Sequence, residues 1–76
     1  MQNNNKYYRV YDYQTGIYFA TGYNATSMNE LIESFSNYIN GADDNELKFE
    51  TFGEIMDYLQ DIDYEESETP FDENDY

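Results

Sequence analysis

The side chains that could do chemistry in this chain are almost all carboxylates. It has 17 Asp and Glu, three Lys and Arg, and no His or Cys. The commonest general base and the strongest nucleophile are therefore both missing. Serine triads lack their imidazole, and the sequence holds no Gly-rich phosphate loop. Paired carboxylates can hydrolyse glycosides, but 76 residues leave little room for a substrate cleft. A non-enzymatic protein is the expectation. Asp61, Asp63, Glu65 and Asp72 fall at positions 1, 3, 5 and 12 of a calcium-loop register. The register fails at position 6, where Glu66 stands in place of the Gly that makes the turn, and Asp72 is shorter than the usual bidentate Glu. Neither a dedicated metal site nor a cofactor is expected.

The distribution of charge says more than its total. Of the 17 acids, 14 follow Ala42, where Lys48 is the one cation, and the formal net charge is −14. Like charges oppose compaction, so a block of this size calls for a use outside folding. It argues against direct binding to nucleic acid or an anionic membrane, and it points to cations or basic protein surfaces as partners. Without cysteine there is no disulfide framework or thiolate metal site. No apolar run reaches the roughly 18 residues of a spanning helix. The opening Met1-Gln2-Asn3-Asn4-Asn5 does not read as a signal peptide, so a cytosolic setting is expected.

The elements that must position these acids can be read from local pattern. Residues 1–5 read as a disordered lead. Residues 6–13 and 17–22 are rich in aromatic and β-branched types, and Gln14-Thr15-Gly16 between them suits a hairpin loop with a left-handed Gly. Ser27-Met28-Asn29-Glu30 is a capping box. Behind it, Met28, Leu31, Ile32, Phe35 and Ile39 form an amphipathic stripe, with a stop expected at Asn40-Gly41. Residues 42–45 read as a loop, and Glu46-Leu47-Lys48-Phe49 as a possible short third strand. Thr51-Phe52-Gly53-Glu54 repeats the capping box and opens a second helix over about 52–62, with Phe52, Ile55, Met56, Leu59 and Ile62 inward. Residues 63–76 have few aliphatic side chains and read as a solvated acidic tail. The sum is a small α+β domain over residues 6–62, in the order β-β-α-(β)-α, with two helices on one face of a hairpin or three-stranded antiparallel sheet.

On the second helix, Glu54, Asp57 and Asp61 recur at i, i+3, i+7. A rise of 1.5 Å per residue separates them by about 4.5 and 6 Å along the axis. That is the scale of phosphate spacing, roughly 3.4 Å along one strand. Glu50 precedes this row, and Asp63, Glu65, Glu66 and Glu68 extend it, with no Lys at i+4 to neutralise it. Carboxylates so arranged can occupy Lys and Arg sites built for phosphates, while Tyr58 and Tyr64 can stack on Arg planes.

Pro70-Phe71 within its acidic surroundings resembles the tail of bacterial single-strand-binding proteins, although here five residues follow Phe71. As a whole, a short, Cys-free, Tyr-rich acidic chain resembles the phage and mobile-element proteins that mimic DNA to block host defence. Tyr11-Asp12-Tyr13-Gln14-Thr15-Gly16, the helix that follows, and Glu50-Thr51-Phe52-Gly53-Glu54-Ile55 resemble the opening of ArdA-type anti-restriction proteins. This resemblance implies an inhibitor, anti-CRISPR or anti-restriction, that fills a DNA-binding channel. In a Cas9-type nuclease the arginine pair that reads the PAM is the exposed point, with restriction enzymes next. Two other readings compete. One is a regulatory adaptor whose acidic tail engages a basic surface, such as that of RNA polymerase. The other is a solubilising domain with no specific partner. Exposed rings on a hairpin edge also allow a homodimer through strand addition.

Overall fold

A computed structural model describes residues 6–43 and 46–75, so the expected lead over residues 1–5 lies outside it. The elements are β1 (Tyr7–Asp12), β2 (Ile17–Tyr18), α1 (Met28–Asp43), α2 (Phe52–Leu59), β3 (Ile62–Ser67) and a 3-10 turn at Glu73–Asp75. They form an α+β unit with a three-stranded antiparallel sheet in the order β2-β1-β3.

The hairpin forms where its turn residues place it. Gly16 has φ +77°; its N–H donates to the Asp12 carbonyl at 2.8 Å, and the Asp12 carboxylate accepts from the Gln14 N–H at 2.9 Å. Tyr13 belongs to this turn and not to the strand. β2 is short because the chain turns away after Phe19. A second contact with β1 follows at Ala25, where the Tyr8 N–H donates to the Ala25 carbonyl at 2.9 Å. Between the two contacts Gly22 sits at φ +72°, and a Cβ there would lie 2.7 Å from Leu31 Cδ1. Glycine is required on both counts.

Strand alternation sends Tyr8 and Val10 of β1 to one side of the sheet. There they meet Leu31, Phe35 and Ile39 of α1, Phe52 and Ile55 of α2, and Ile62 of β3 in one core cluster. Both capping boxes form: the Glu30 N–H donates to Ser27 Oγ at 3.1 Å, and the Glu54 N–H to Thr51 Oγ1 at 3.3 Å. Each Glu reaches back one residue beyond the cap, to the N–H of Thr26 and of Glu50.

Three expectations are corrected. α1 runs through Gly41 to Asp43. A Cβ at Gly41 would meet nothing within 4 Å, so no close approach forces a turn. The preceding Asn40 instead donates to the Leu47 carbonyl and accepts from the Leu47 N–H, both at 2.9 Å. That clamp holds residues 46–49 outside the sheet, so Glu46–Phe49 is not a strand. Thirdly, α2 stops at Leu59, and the residues expected to begin a solvated tail form β3 instead. Gln60 (φ 59°) and Asp61 (φ 54°) reverse the chain. β3 then pairs with β1 along its whole length, from Tyr7↔Ser67 to Asp12↔Ile62. The physical reason is β1's second edge, whose N–H and C=O groups need partners. Lys6 and Arg9 also meet Glu66 and Glu65 there.

Candidate acidic docking surface

The fold distributes the eleven sequence-predicted contact residues over three surfaces instead of one row. Glu54 and Asp57 on α2, and Glu50 just before its cap, are exposed, and the Glu54 carboxylate accepts the Glu50 N–H at 2.7 Å. Tyr58 is exposed on the same helix, its ring edge-on to Phe49 at 5.8 Å. Asp61 drops out of the helical stripe because the helix has ended. Its carbonyl accepts from the Tyr13 N–H at 2.8 Å and its carboxylate from Gln14 Nε2 at 3.2 Å, tying the α2–β3 turn to the hairpin tip.

β3 divides the next acids by strand alternation. Tyr64 faces the helices, with its ring 5.5 Å from Phe52 and 6.2 Å from Tyr8. Glu66 lies on that side too, opposite Tyr8, and pairs with Lys6 at 3.4 Å. Burial, and then the neighbouring Glu66, push the Tyr8 phenol above its ordinary range. Asp63 and Glu65 face the side of the sheet that no helix covers, opposite Tyr11 and Arg9. The acids on residues 61, 63 and 65 thus run from a turn along an extended strand, which is not the loop that a calcium register needs. Among the described residues no group of three or more acids is gathered to hold a metal ion.

The uncovered sheet face is the part that the sequence reading missed. Arg9 is its centre, with a side chain only 13% exposed. Its guanidinium lies 3.8 Å from the centre of the Tyr18 ring and 4.1 Å from that of Phe71. Nε and Nη2 both sit 2.9 Å from Glu65 Oε1, and Nη1 donates to the Tyr23 hydroxyl at 3.2 Å. The second Glu65 oxygen accepts from the Tyr18 hydroxyl at 2.9 Å. Burial alone would ease the proton off Arg9, but the bonds to Tyr23 and Glu65 outweigh it and hold the guanidinium above its ordinary pKa. Tyr18 is also raised, by burial and then by its bond to Glu65.

Phe71 is consequently not a free anchor. Its backbone N–H donates to Asn24 Oδ1 at 2.8 Å, and its carbonyl accepts from Asn24 Nδ2 at 3.0 Å. Tyr23 donates to the Asp72 carbonyl. Asn24 therefore holds the C-terminal segment as Asn40 holds Leu47, each with one side-chain amide standing in for a strand partner. Glu68 is exposed just beyond β3. A continuous series of edge-on rings, Tyr13, Tyr11, Tyr18, Tyr23 and Phe71, crosses the face. These rings account for much of the Tyr surplus near the N-terminus. No local sequence signal marks this site, because Lys6 and Arg9 meet Glu66 and Glu65 across 60 and 56 positions of chain.

No protein-family model matches the chain, and neither curated proteins nor solved structures give a match.

Proposed function

We propose that this chain is a non-enzymatic inhibitor that offers carboxylates to the nucleic-acid site of a basic host defence protein. A Cas9-type CRISPR effector is the first candidate and a restriction enzyme the second. The observation that carries this reading is the state of the acids in the second half of the chain. Arg9 is taken up on the sheet by Glu65, and Lys6 pairs with Glu66 at its exposed edge. Glu50, Glu54, Asp57, Asp63 and Glu68 stand exposed, and among the described residues no cation pairs with them. A helix, a strand and a C-terminal segment pinned at Phe71 fix the backbone that bears them, so they act as preorganised charges on several faces and not as a diffuse tail. Preorganisation lowers the entropy cost of binding, and unpaired exposed charge speeds encounter with a basic groove.

The alternative adaptor, acting through a free tail, requires Phe71 to leave Arg9 and Asn24 before it can engage a partner. Asp57→Lys with Glu68→Lys tests the inhibitor reading, because neither residue caps a helix or pairs within the sheet. Target binding should fall more than tenfold while the circular dichroism spectrum stays unchanged. Binding that survives this double reversal removes the proposal.

A further inference from the structure

Adjacent positions of the uncovered sheet face carry the same chemistry, and only one of them holds a cation. At Arg9↔Glu65 a guanidinium is held by one carboxylate, one phenol and two rings. At the next position on that face, Tyr11↔Asp63, a depression of about 480 Å³ is lined by Tyr11, Tyr13, Tyr18, Asp63, Tyr64 and Glu65. Rings and acids are both present there, and among the described residues no Lys or Arg is paired with Asp63. One Asp63 oxygen accepts the Tyr64 N–H at 2.8 Å, which orients the carboxylate. Tyr13 is 62% exposed at the rim, its ring 5.0 Å from Tyr11 and edge-on. An exposed aromatic wall beside a carboxylate suits a planar cation, which can stack and donate two parallel hydrogen bonds at once.

We infer that this depression is a recognition site for one arginine side chain of a partner protein, stacked on the exposed Tyr13 ring and bonded to the Asp63 carboxylate, as Arg9 stacks on Tyr18 and bonds Glu65. Arginine is favoured over lysine because its flat guanidinium stacks on rings and bonds a carboxylate in two places, where an ammonium is a hydrated point charge. The inference deepens the proposed function, since an arginine-bearing basic protein is the partner class named there. It also adds a contact on the sheet to those offered by α2.

Titration of the full chain with acetyl-Gly-Arg-Gly-amide, followed by NMR, reads the site without any target protein. The citrulline peptide serves as the neutral isostere and the lysine peptide as the point charge. The arginine peptide should shift the signals of Tyr11, Tyr13 and Asp63, ahead of lysine, with citrulline inert. Asp63→Asn should weaken it about tenfold, the scale of one charge-assisted bond. Tyr13→Ala should weaken it about two- to fivefold, the scale of one exposed cation–π contact, whereas Tyr13→Phe should retain it. At rim positions these changes leave the fold intact, which the amide spectrum of each variant checks directly. Shifts spread evenly over all exposed acids, or equal for arginine and lysine, would overturn the inference as diffuse counterion binding. The α2 variant Asp57→Lys should leave peptide binding at the pocket unchanged. Host-target binding that survives Asp57→Lys with Glu68→Lys, while the peptide still binds, removes the inhibitor reading alone; a native chain that binds its target but shows no arginine-specific shifts at Asp63 removes the arginine site alone.

Discussion

Replacing Arg9 by Met keeps the length and apolar stem of the side chain and deletes only the guanidinium. The structure sets the size of the loss. Two ring contacts, at 3.8 and 4.1 Å, are worth about 0.5–1 kcal/mol each. The Glu65 pair is discounted to about 1 kcal/mol, because the Glu65 side chain is 45% exposed and solvent screens it. The bond to Tyr23 adds about 1 kcal/mol, and Met recovers part of the packing. A net destabilisation of about 2–3 kcal/mol follows. Against the ~4–11 kcal/mol expected of a domain this size, that is a large fraction. Urea denaturation followed by circular dichroism measures it, and the thermal midpoint should drop by roughly 10–20 °C. Phe71→Leu alone should cost about 1 kcal/mol, and because the two residues are in contact their effects should not add. If Arg9→Met costs under about 0.5 kcal/mol, the guanidinium sandwich does not hold the uncovered face together and the C-terminal segment is held by something else.

Gly22→Ala should destabilise the domain by about 2 kcal/mol, since both its left-handed backbone and the 2.7 Å approach of Leu31 oppose a Cβ; the same denaturation assay checks it. Gln60→Gly should work the other way, gaining about 1 kcal/mol, because Gln60 sits at φ 59°, ψ 157°, a region that glycine alone occupies freely. Glu30 provides a pH test: hydrogen bonds from the Thr26 N–H and hydroxyl hold its carboxyl below the ordinary value of 4.5. Its stabilising contribution is therefore complete above that pH and is lost as pH falls through the lowered value. The stability gap between the protein and Glu30→Gln should close as the pH falls below the ordinary value of 4.5; a constant gap would assign the effect to something other than the carboxylate.

What was legible in the sequence was local. The hairpin loop needed only Gly16 and its neighbours, and both capping boxes needed only four consecutive residues, so each could be read without knowing the fold. The helical stripes named most of the core for the same reason, including Ile62, although it enters the core from β3 and not from α2. What was hidden depends on partners far along the chain. Residues 62–65 alternate Ile and Tyr with acids, a strand pattern only four residues long before the acidic run that follows. The β1 edge and its two cations, more than 50 positions away, make that segment a strand. The sandwich around Arg9 joins residues 9, 18, 23, 65 and 71, and no spacing rule connects them. The end of α1 was misplaced because Asn40-Gly41 has the composition of a stop, whereas Asn40 is used as a clamp on Leu47.

If the exposed carboxylates stand in for phosphates, duplex DNA must compete with this chain for its partner. Tagged protein is incubated with lysate of a bacterium that carries the candidate defence systems, washed at low and at high salt, and challenged with excess duplex DNA. A nucleic-acid-binding defence protein should be retained at low salt, released at high salt and displaced by DNA. A partner that stays bound in excess DNA, or no retained nucleic-acid-binding protein at low salt, would contradict phosphate mimicry.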